Sequence, residues 1–300
     1  MSKVSALDLG LVVAGHGRHY IVETPDGERL TCHPRGKKSD CVVGDRVRWQ
    51  ASGDEGVIEH VELRRNLLFR QDEWKTKSFA ANLDQLLILV AAQPVFSESQ
   101  LARALIAAES AGIPARIVLN KADLPSIAEA RLRLAPYAAF GVEVIELALK
   151  ARPDEARAVL MPLLQDRATF VLGPSGTGKS TLINLLAPDA KAQIGEISQA
   201  LNSGRHTTTT TQWYWLDTAE RRTALIDSPG FQEFGLRQID ANQLAKLMPD
   251  LRAHADCKFY NCTHQHEPGC GVRAALERGE ISESRYRIYG EILGELVNRR

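Results

Sequence analysis

Along the chain, the alternation of apolar and polar positions changes texture three times. Over residues 1–68 short apolar runs alternate with turn residues. "GLVVAG", "HYIVETPDGERLTCHP", "VVGDRVRWQ" and "GVIEHVEL" read as strands, with "PDGE" as a hairpin turn. Five or so short strands in this length predict a small β-barrel, of which the OB-fold is one form. The charge-rich "RRNLLFRQDEWKTKSFA" then reads as a linker. From residue 83 the runs become continuous. "LDQLLILVAA" and "ARIVLN" look like strands buried on both faces. "SQLARALIAAESAG" has helical spacing and ends at Gly112. "EARLRLAPYAAFG" is predicted helical with a kink or break at Pro136. "VEVIELA" and "TFVLG" read as strands, "DEARAVLMPLLQD" and "GKSTLINLLA" as helices, and "TQWYWLD" and "RRTALID" as adjacent strands. Strands alternating with helices imply a mostly parallel sheet covered on both faces. The last 65 or so residues are short helical pieces around a Cys/His cluster. The expected units are therefore an all-β barrel over 1–68, an α/β domain over 69–235 and a mostly helical domain over 236–300.

Composition changes this picture little. Apolar residues make up 44% of the chain and charged residues 25%, with a formal net charge of zero, so global charge does not argue for a nucleic-acid partner. Six basic residues (Arg29, Arg35, Lys37, Lys38, Arg46 and Arg48) face only Asp40 and Asp45 in the barrel segment, a pattern shared by solvated hairpins and phosphate-binding patches. No run approaches the roughly 18 apolar residues needed to span a bilayer, and the N-terminus lacks a signal-peptide core, so the chain reads as cytoplasmic with no membrane partner. Five cysteines, an odd number, argue against a complete disulfide framework.

Candidate chemistry clusters in four places. "GPSGTGKS" (Gly173, Pro174, Ser175, Gly176, Thr177, Gly178, Lys179, Ser180) fits G-x-x-x-x-G-K-[ST] between a strand and a helix that continues through Thr181. Small residues let backbone N–H groups close around phosphate oxygens, Lys179 would reach the β- and γ-phosphates, and Ser180 would ligate Mg²⁺. "NKAD" follows a buried strand. Asp123 would accept from the ring N–H and amine of guanine, a pair adenine lacks, and a buried carboxylate would reject the base that leaves it unpaired. Asn120 and Lys121 would brace the loops. "LIDSPG" ends a strand with Asp227, which would hold Mg²⁺ through water, and places the Gly230 N–H at the γ-phosphate. One of Thr207–Thr211 would complete the Mg²⁺ shell; which one is open, and the later ones fit an edge strand alternating with Trp213 and Trp215. Phe231 stands where many GTPases carry a water-orienting glutamine. His206 is the nearest candidate to replace it, and slow intrinsic turnover accelerated by a partner is expected. Finally, "CKFYNCTHQHEPGC" supplies Cys257, Cys262 and Cys270 with His264 or His266, enough to close a structural Zn²⁺ site with no open position.

Together these elements resemble the circularly permuted GTPases of small ribosomal subunit biogenesis, the ribosome small subunit-dependent GTPase A family. The base-reading "NKAD" precedes the phosphate loop, reversing the usual order, and "GRHTTTTT", "DSPGF" and the cysteine spacing follow. The resemblance implies a multidomain fold: OB-like barrel, permuted P-loop GTPase domain and zinc-binding domain. It implies a cytoplasmic GTPase that binds the 30S subunit and its 16S rRNA late in maturation, is stimulated by the ribosome, and converts GTP to GDP and phosphate; a monomer is expected. It selects His264 over His266 and supports His206, which with Lys179 of the phosphate loop makes the expected catalytic pair. One departure is "LALKA", Leu147–Ala151, where the family has a small Ser-rich base loop, which throws guanine preference onto Asp123. The competing readings are an ATP-using P-loop enzyme, an RNA-binding module with vestigial hydrolysis, and a factor acting in every elongation cycle. Because the chain leaves the GTPase domain just after "DSPGFQEFG", the reversal is expected to couple nucleotide state to the orientation of the zinc domain.

Overall fold

The structure is a computed structural model that describes residues 7–36, 40–71, 76–188, 190, 211–217, 219–228 and 234–298. The first five strands are β1 (Asp8–His16), β2 (His19–Glu23), β3 (Arg29–Pro34), β4 (Arg46–Ser52) and β5 (Glu55–Val61). They run in the order β1-β2-β3-β5-β4, and β4 returns to pair antiparallel with β1, from Asp8 opposite Trp49 to Leu11 opposite Arg46. The sheet is thereby closed into a five-stranded barrel of the OB type. The one parallel contact in it is β3 with β5. Its interior is filled by alternate residues of the strands, among them Val12, Val22, Cys32, Val47, Trp49 and Ile58. "PDGE" is a turn, with Gly27 at φ +91°.

The segment expected to be a linker is instead a hairpin, β6 (Leu67–Gln71) with β7 (Thr76–Ala81). Its charged residues masked the apolar ones that fix it. Leu68, Phe79, Ala80 and Ala81 are buried, and Phe79 stacks on Phe234 with ring centroids 5.7 Å apart. Bridges from Ala80 to Val43 and from Gln71 to Leu236 connect the hairpin to the barrel and to the segment that follows the central sheet. The expected boundary at residue 68 falls inside β6.

The central sheet contains β8 (Gln85–Ala91), β9 (Ala115–Asn120), β10 (Val144–Glu146), β11 (Ala168–Leu172), β12 (Gln212–Trp215) and β13 (Ala224–Asp227). The order β10-β9-β8-β11-β13 is parallel throughout, and β12 is antiparallel to β13. Side chains of β8 alternate between two cores. Leu86, Ile88 and Val90 pack with residues of α1 (Glu98–Ser110) and α2 (Ile127–Ala139), while Leu87 and Leu89 pack with α3 (Pro153–Leu164) and α4 (Lys179–Leu186). This burial on both faces is why the run lacks polar interruptions. Pro136 does not break α2. The carbonyl its ring leaves without a partner belongs to Leu132, which is 75% exposed and on the solvent side. β1 also pairs with β12, Ala14 opposite Gln212, so barrel and central sheet are continuous.

After the central sheet come a 3₁₀ stretch, Ala241–Leu247, and helices Pro249–Arg252, Gly271–Glu277 and Glu283–Val297. The last docks against α1 through Arg103 and Glu295, 2.8 Å apart. It also carries Arg285, whose guanidinium forms a buried pair with Asp250. No helix among the described residues is long and apolar enough to cross a membrane.

Candidate nucleotide site and metal centre

Parallel strands end at a common edge, and the loops leaving β9, β11 and β13 converge there. The loop after β11 is Gly173–Gly178. Thr177 is buried and its hydroxyl donates to the Pro174 carbonyl at 2.9 Å, closing the loop on itself. Gly178 enters α4 at φ +104°, and a Cβ there would lie 2.2 Å from Asn120 Nδ2, so both conformation and crowding require glycine. Ser175, Gly176, Ser180 and Thr181 are exposed around the start of α4, where unpaired backbone N–H groups and the helix dipole favour an anion.

Lys179, the first residue of α4, donates to Asp227 Oδ1 at 2.9 Å and to the Ser228 carbonyl at 2.6 Å. Asp227, at the end of β13, is buried, and Ser228 is fully buried with its hydroxyl donating to Val171 of β11 at 3.0 Å. The strand pairing of β11 with β13, Val171 opposite Asp227, thus aligns the two loops. Tyr214, across β12, is pushed above the ordinary phenol range by burial and then by the charge of Asp227.

Asn120 ends β9 and is buried. Its amide donates to the Thr177 carbonyl at 2.8 Å, and its carbonyl accepts from the Leu149 N–H at 3.1 Å. One side chain therefore ties three loops together: that after β9, the phosphate loop, and the Leu147–Ala151 turn after β10. The turn is held by its backbone, with Leu147, Ala148 and Leu149 buried and Lys150 and Ala151 exposed. Lys121 has φ +61° and donates to the Gln93 carbonyl at 2.6 Å, spanning to the loop after β8. Asp123 is exposed, not buried as the sequence led us to expect, because it lies in the turn that leaves β9 for α2. Sequence reasoning missed Ser228, Gln93 and the Leu149 N–H. Ser228 was visible inside "DSPG", whereas backbone groups of Gln93 and Leu149 leave no sequence signal. His206, Thr207–Thr210, Gly230 and Phe231 lie outside the described residues. Thr211 precedes β12, and Trp213 and Trp215 share one face, edge to face at 5.3 Å.

The second site is local in sequence. Ligand atoms of Cys257, Cys262, His264 and Cys270 lie within 4.8 Å of one another. Tetrahedral Zn²⁺ with bonds of about 2.3 Å to sulfur and about 2.0 Å to nitrogen implies S···S edges of about 3.8 Å and S···N edges of about 3.5 Å. Cys257 Sγ lies 3.8 Å from Cys270 Sγ, and each lies 3.4 Å from His264 Nδ1. These four residues fit a structural zinc site, and His266, exposed, is outside it. Burial lowers the pKa of His264, with Glu267 opposing, which favours the neutral imidazole that a metal needs. Burial also pushes the Cys262 thiol up to about 12, so a metal ion bound there must displace a proton.

His264 has φ +60°, and a cage of hydrogen bonds holds it in that strained region. Glu267 accepts from the Thr263 N–H and hydroxyl at 2.7 and 2.6 Å, and from the N–H groups of Gln265 and His266. Burial would raise the Glu267 carboxyl, but these bonds outweigh it and hold it well below the ordinary range. From the last helix, Tyr286 and Tyr289 donate to the carbonyls of His264 and Thr263, both at 2.7 Å.

The profile of the RsgA GTPase family matches residues 61–237. The chain is 65% identical over 297 residues to the small ribosomal subunit biogenesis GTPase RsgA of Variovorax paradoxus, covering 97% of this chain and 93% of that protein. It is 54% identical over 290 residues to the protein of the same name in Burkholderia pseudomallei, covering 95% and 91%. Two solved structures share the fold. YloQ, described as a circularly permuted GTPase, is 27% identical with a TM-score of 0.71, covering 100% of this chain and 98% of that one. YjeQ from Thermotoga maritima is 29% identical with a TM-score of 0.74, covering 98% and 99%.

Proposed function

The chain belongs to the RsgA GTPase family, and we propose that it hydrolyses GTP on the 30S ribosomal subunit, late in that subunit's maturation, under stimulation by the subunit itself. It is a GTP hydrolase with a circularly permuted GTPase fold. The observation that carries the reading is Asn120, which joins the "NKAD" loop to the phosphate loop although the two occur in reversed order. A base held at one loop is thereby registered to phosphates held at the other.

In this reading the backbone N–H groups of the Gly173–Ser180 loop, other than at Pro174, cradle the phosphates, and Thr181 extends the cradle. Lys179 leaves Asp227 and the Ser228 carbonyl to meet the β- and γ-phosphate oxygens. Ser180 would ligate Mg²⁺ and Asp227 would hold it through water, and the ion would supply charge neutralisation for the transferring phosphoryl group. Asp123 selects guanine, with Asn120 and Lys121 as braces; its exposure puts the carboxylate within reach of an incoming base. Gly230 faces the γ-phosphate. Water attacks phosphorus in line with the departing GDP oxygen, and His206 positions it in place of the glutamine that Phe231 supplants. Residues 1–68, 69–235 and 236–300 act as barrel, GTPase and zinc units. The barrel and zinc units hold 16S rRNA around a cytoplasmic monomer, and the permuted exit after residue 235 couples nucleotide state to the zinc unit. Support for that coupling comes from the hairpin β6–β7, which bridges the barrel and Leu236.

The test is steady-state phosphate release from GTP and ATP, alone, with 30S and with 50S subunits. GTP-specific stimulation by 30S alone is expected. Equal rates with 30S and 50S overturn the partner; equal rates with GTP and ATP overturn the role of Asp123.

A further inference from the structure

An aromatic ring left in water forgoes a large burial gain, and among the described residues only two Phe, Tyr or Trp side chains are exposed: Phe259, at 41%, and Tyr260, fully. They are neighbours, and both sit in the turn between the metal-site cysteines Cys257 and Cys262. The turn is braced along its length. The Cys262 N–H donates to the Phe259 carbonyl at 3.2 Å, and the Lys258 N–H donates to the Gly269 carbonyl at 3.0 Å. Gly269 has φ +69°, and a Cβ there would lie 3.2 Å from the Lys258 Cβ, so the two segments of the cluster run close together. Tied at both ends to the metal site and hydrogen-bonded between, the turn holds its rings away from the core. Tyr260 makes no hydrogen bond or ring contact among the described residues.

Size, surroundings and charge define what such a pair would meet. Two rings offer about 150–250 Å² each, well short of the roughly 800 Å² that each partner buries in a standard protein–protein interface. Nothing in the segment widens the patch, because residues 256–270 include no Leu, Ile, Val or Met. The rim is instead polar, with Lys258, Asn261, Thr263 and His266 all exposed. The Lys258 ammonium lies 5.7 Å from the Phe259 ring centroid and makes no ion pair among the described residues. Glu267 has its oxygens engaged by Thr263, Gln265 and His266, but exposed Asp256 offsets the lysine charge. A positive field is therefore not what draws the partner; the ring faces are. A planar body the size of one or two bases matches them.

We propose that the Phe259–Tyr260 turn is a stacking platform for an unpaired RNA base, with Tyr260 as the ring that receives it. This assignment rests on the 30S reading above and adds to it the class of contact: the zinc unit takes a base splayed out of a loop, bulge or end, since a base inside a duplex has no free face for a protruding ring. The braced turn presents its ring already oriented, so little ordering entropy is lost when the base arrives.

The test is the affinity of the full-length, zinc-loaded protein for 30S subunits, measured at one salt concentration with a non-hydrolysable GTP analogue. Wild type is compared with Tyr260→Phe, Tyr260→Leu and Tyr260→Ala. Tyr260→Phe keeps the ring and is expected to bind within about twofold of wild type, while Tyr260→Leu and Tyr260→Ala are each expected to bind about tenfold more weakly. The side chain is fully exposed in the free protein, so all three variants are expected to keep the zinc content and thermal midpoint of wild type. Wild-type affinity in Tyr260→Ala overturns the platform. So does wild-type affinity in Tyr260→Leu, which keeps apolar area without a π-face and would identify a protein pocket as the partner. Failure of the wild type itself to bind 30S overturns the 30S reading and the platform together, whereas undiminished binding by Tyr260→Ala strikes the platform alone.

Discussion

The phosphate loop and the metal cluster, both built from a few polar residues, are constructed in opposite ways. Around the phosphate loop the functional groups come from the ends of β9, β11 and β13, far apart in the chain, and several remain exposed: Ser175, Ser180, Thr181 and Asp123. What is buried there is the bracing, Asn120, Thr177 and Ser228. In the metal cluster the ligands come from one short stretch, Cys257 to Cys270, and the chain around them makes few regular elements. The fold precedes the first site and holds it ready; the second site, once filled, holds its own fold. A nucleotide that must enter and leave suits the first construction, and a resident ion suits the second.

Metal removal gives the largest test of this contrast. A structural zinc supplies on the order of 10 kcal/mol to a small site. Chelation, or Cys257→Ser, is expected to abolish amide-exchange protection across 254–290 while GDP binding persists. Protection that survives in the zinc-free protein means the tyrosine and Glu267 contacts suffice without the ion. Next, Lys179→Ala removes the cation paired with Asp227 and is expected to lower GTP hydrolysis by about 10²–10³-fold at unchanged zinc content. A fall in bound zinc would show that the two sites are not independent. Asn120→Ala leaves the Thr177 carbonyl and the Leu149 N–H unpaired in a buried place. A loss of about 2 kcal/mol, or roughly thirtyfold in GDP affinity, is expected by titration. Unchanged affinity would remove Asn120 from its bracing role.

The smallest effect concerns Glu267. Glu267→Gln weakens the cage around His264 and is expected to lower zinc affinity about tenfold in competition with a chelator. Its carboxyl is depressed in the folded protein, so its stabilisation is complete above the ordinary glutamate pKa of about 4.3 and fades as pH falls below that value. The gap in thermal midpoint between wild type and variant should therefore narrow from pH 7 to pH 3.5. A gap that widens in acid contradicts the hydrogen-bond account.

Legibility in the sequence followed the same division. The zinc ligands were readable because coordination spacing is a local property, although the choice of His264 over His266 came from resemblance and the structure places His264 in the cluster. The barrel strands were readable from alternation, and the central strands from unbroken apolar runs. The hairpin β6–β7 was misread because Arg70, Gln71 and Lys77 dominate its composition, while the residues that hold it, Leu68 and Phe79, find their partners in distant segments such as Phe234. Asp123 was expected to be buried, but a turn residue between a strand and a helix has no element to cover it.

By itself, then, the sequence determined the local chemistry: the glycine pattern that lets a backbone curl around phosphate, the ligand set for one metal ion, and the period of each strand. Tertiary structure alone decided which distant groups meet: Lys179 with Asp227 and the Ser228 carbonyl, Asn120 with two other loops, and β1 with β12. The physical reason is range. Backbone conformation and metal-ligand spacing are set by neighbours along the chain, whereas parallel strand order, and with it the company each loop keeps, is set by burial of apolar faces contributed from the whole domain.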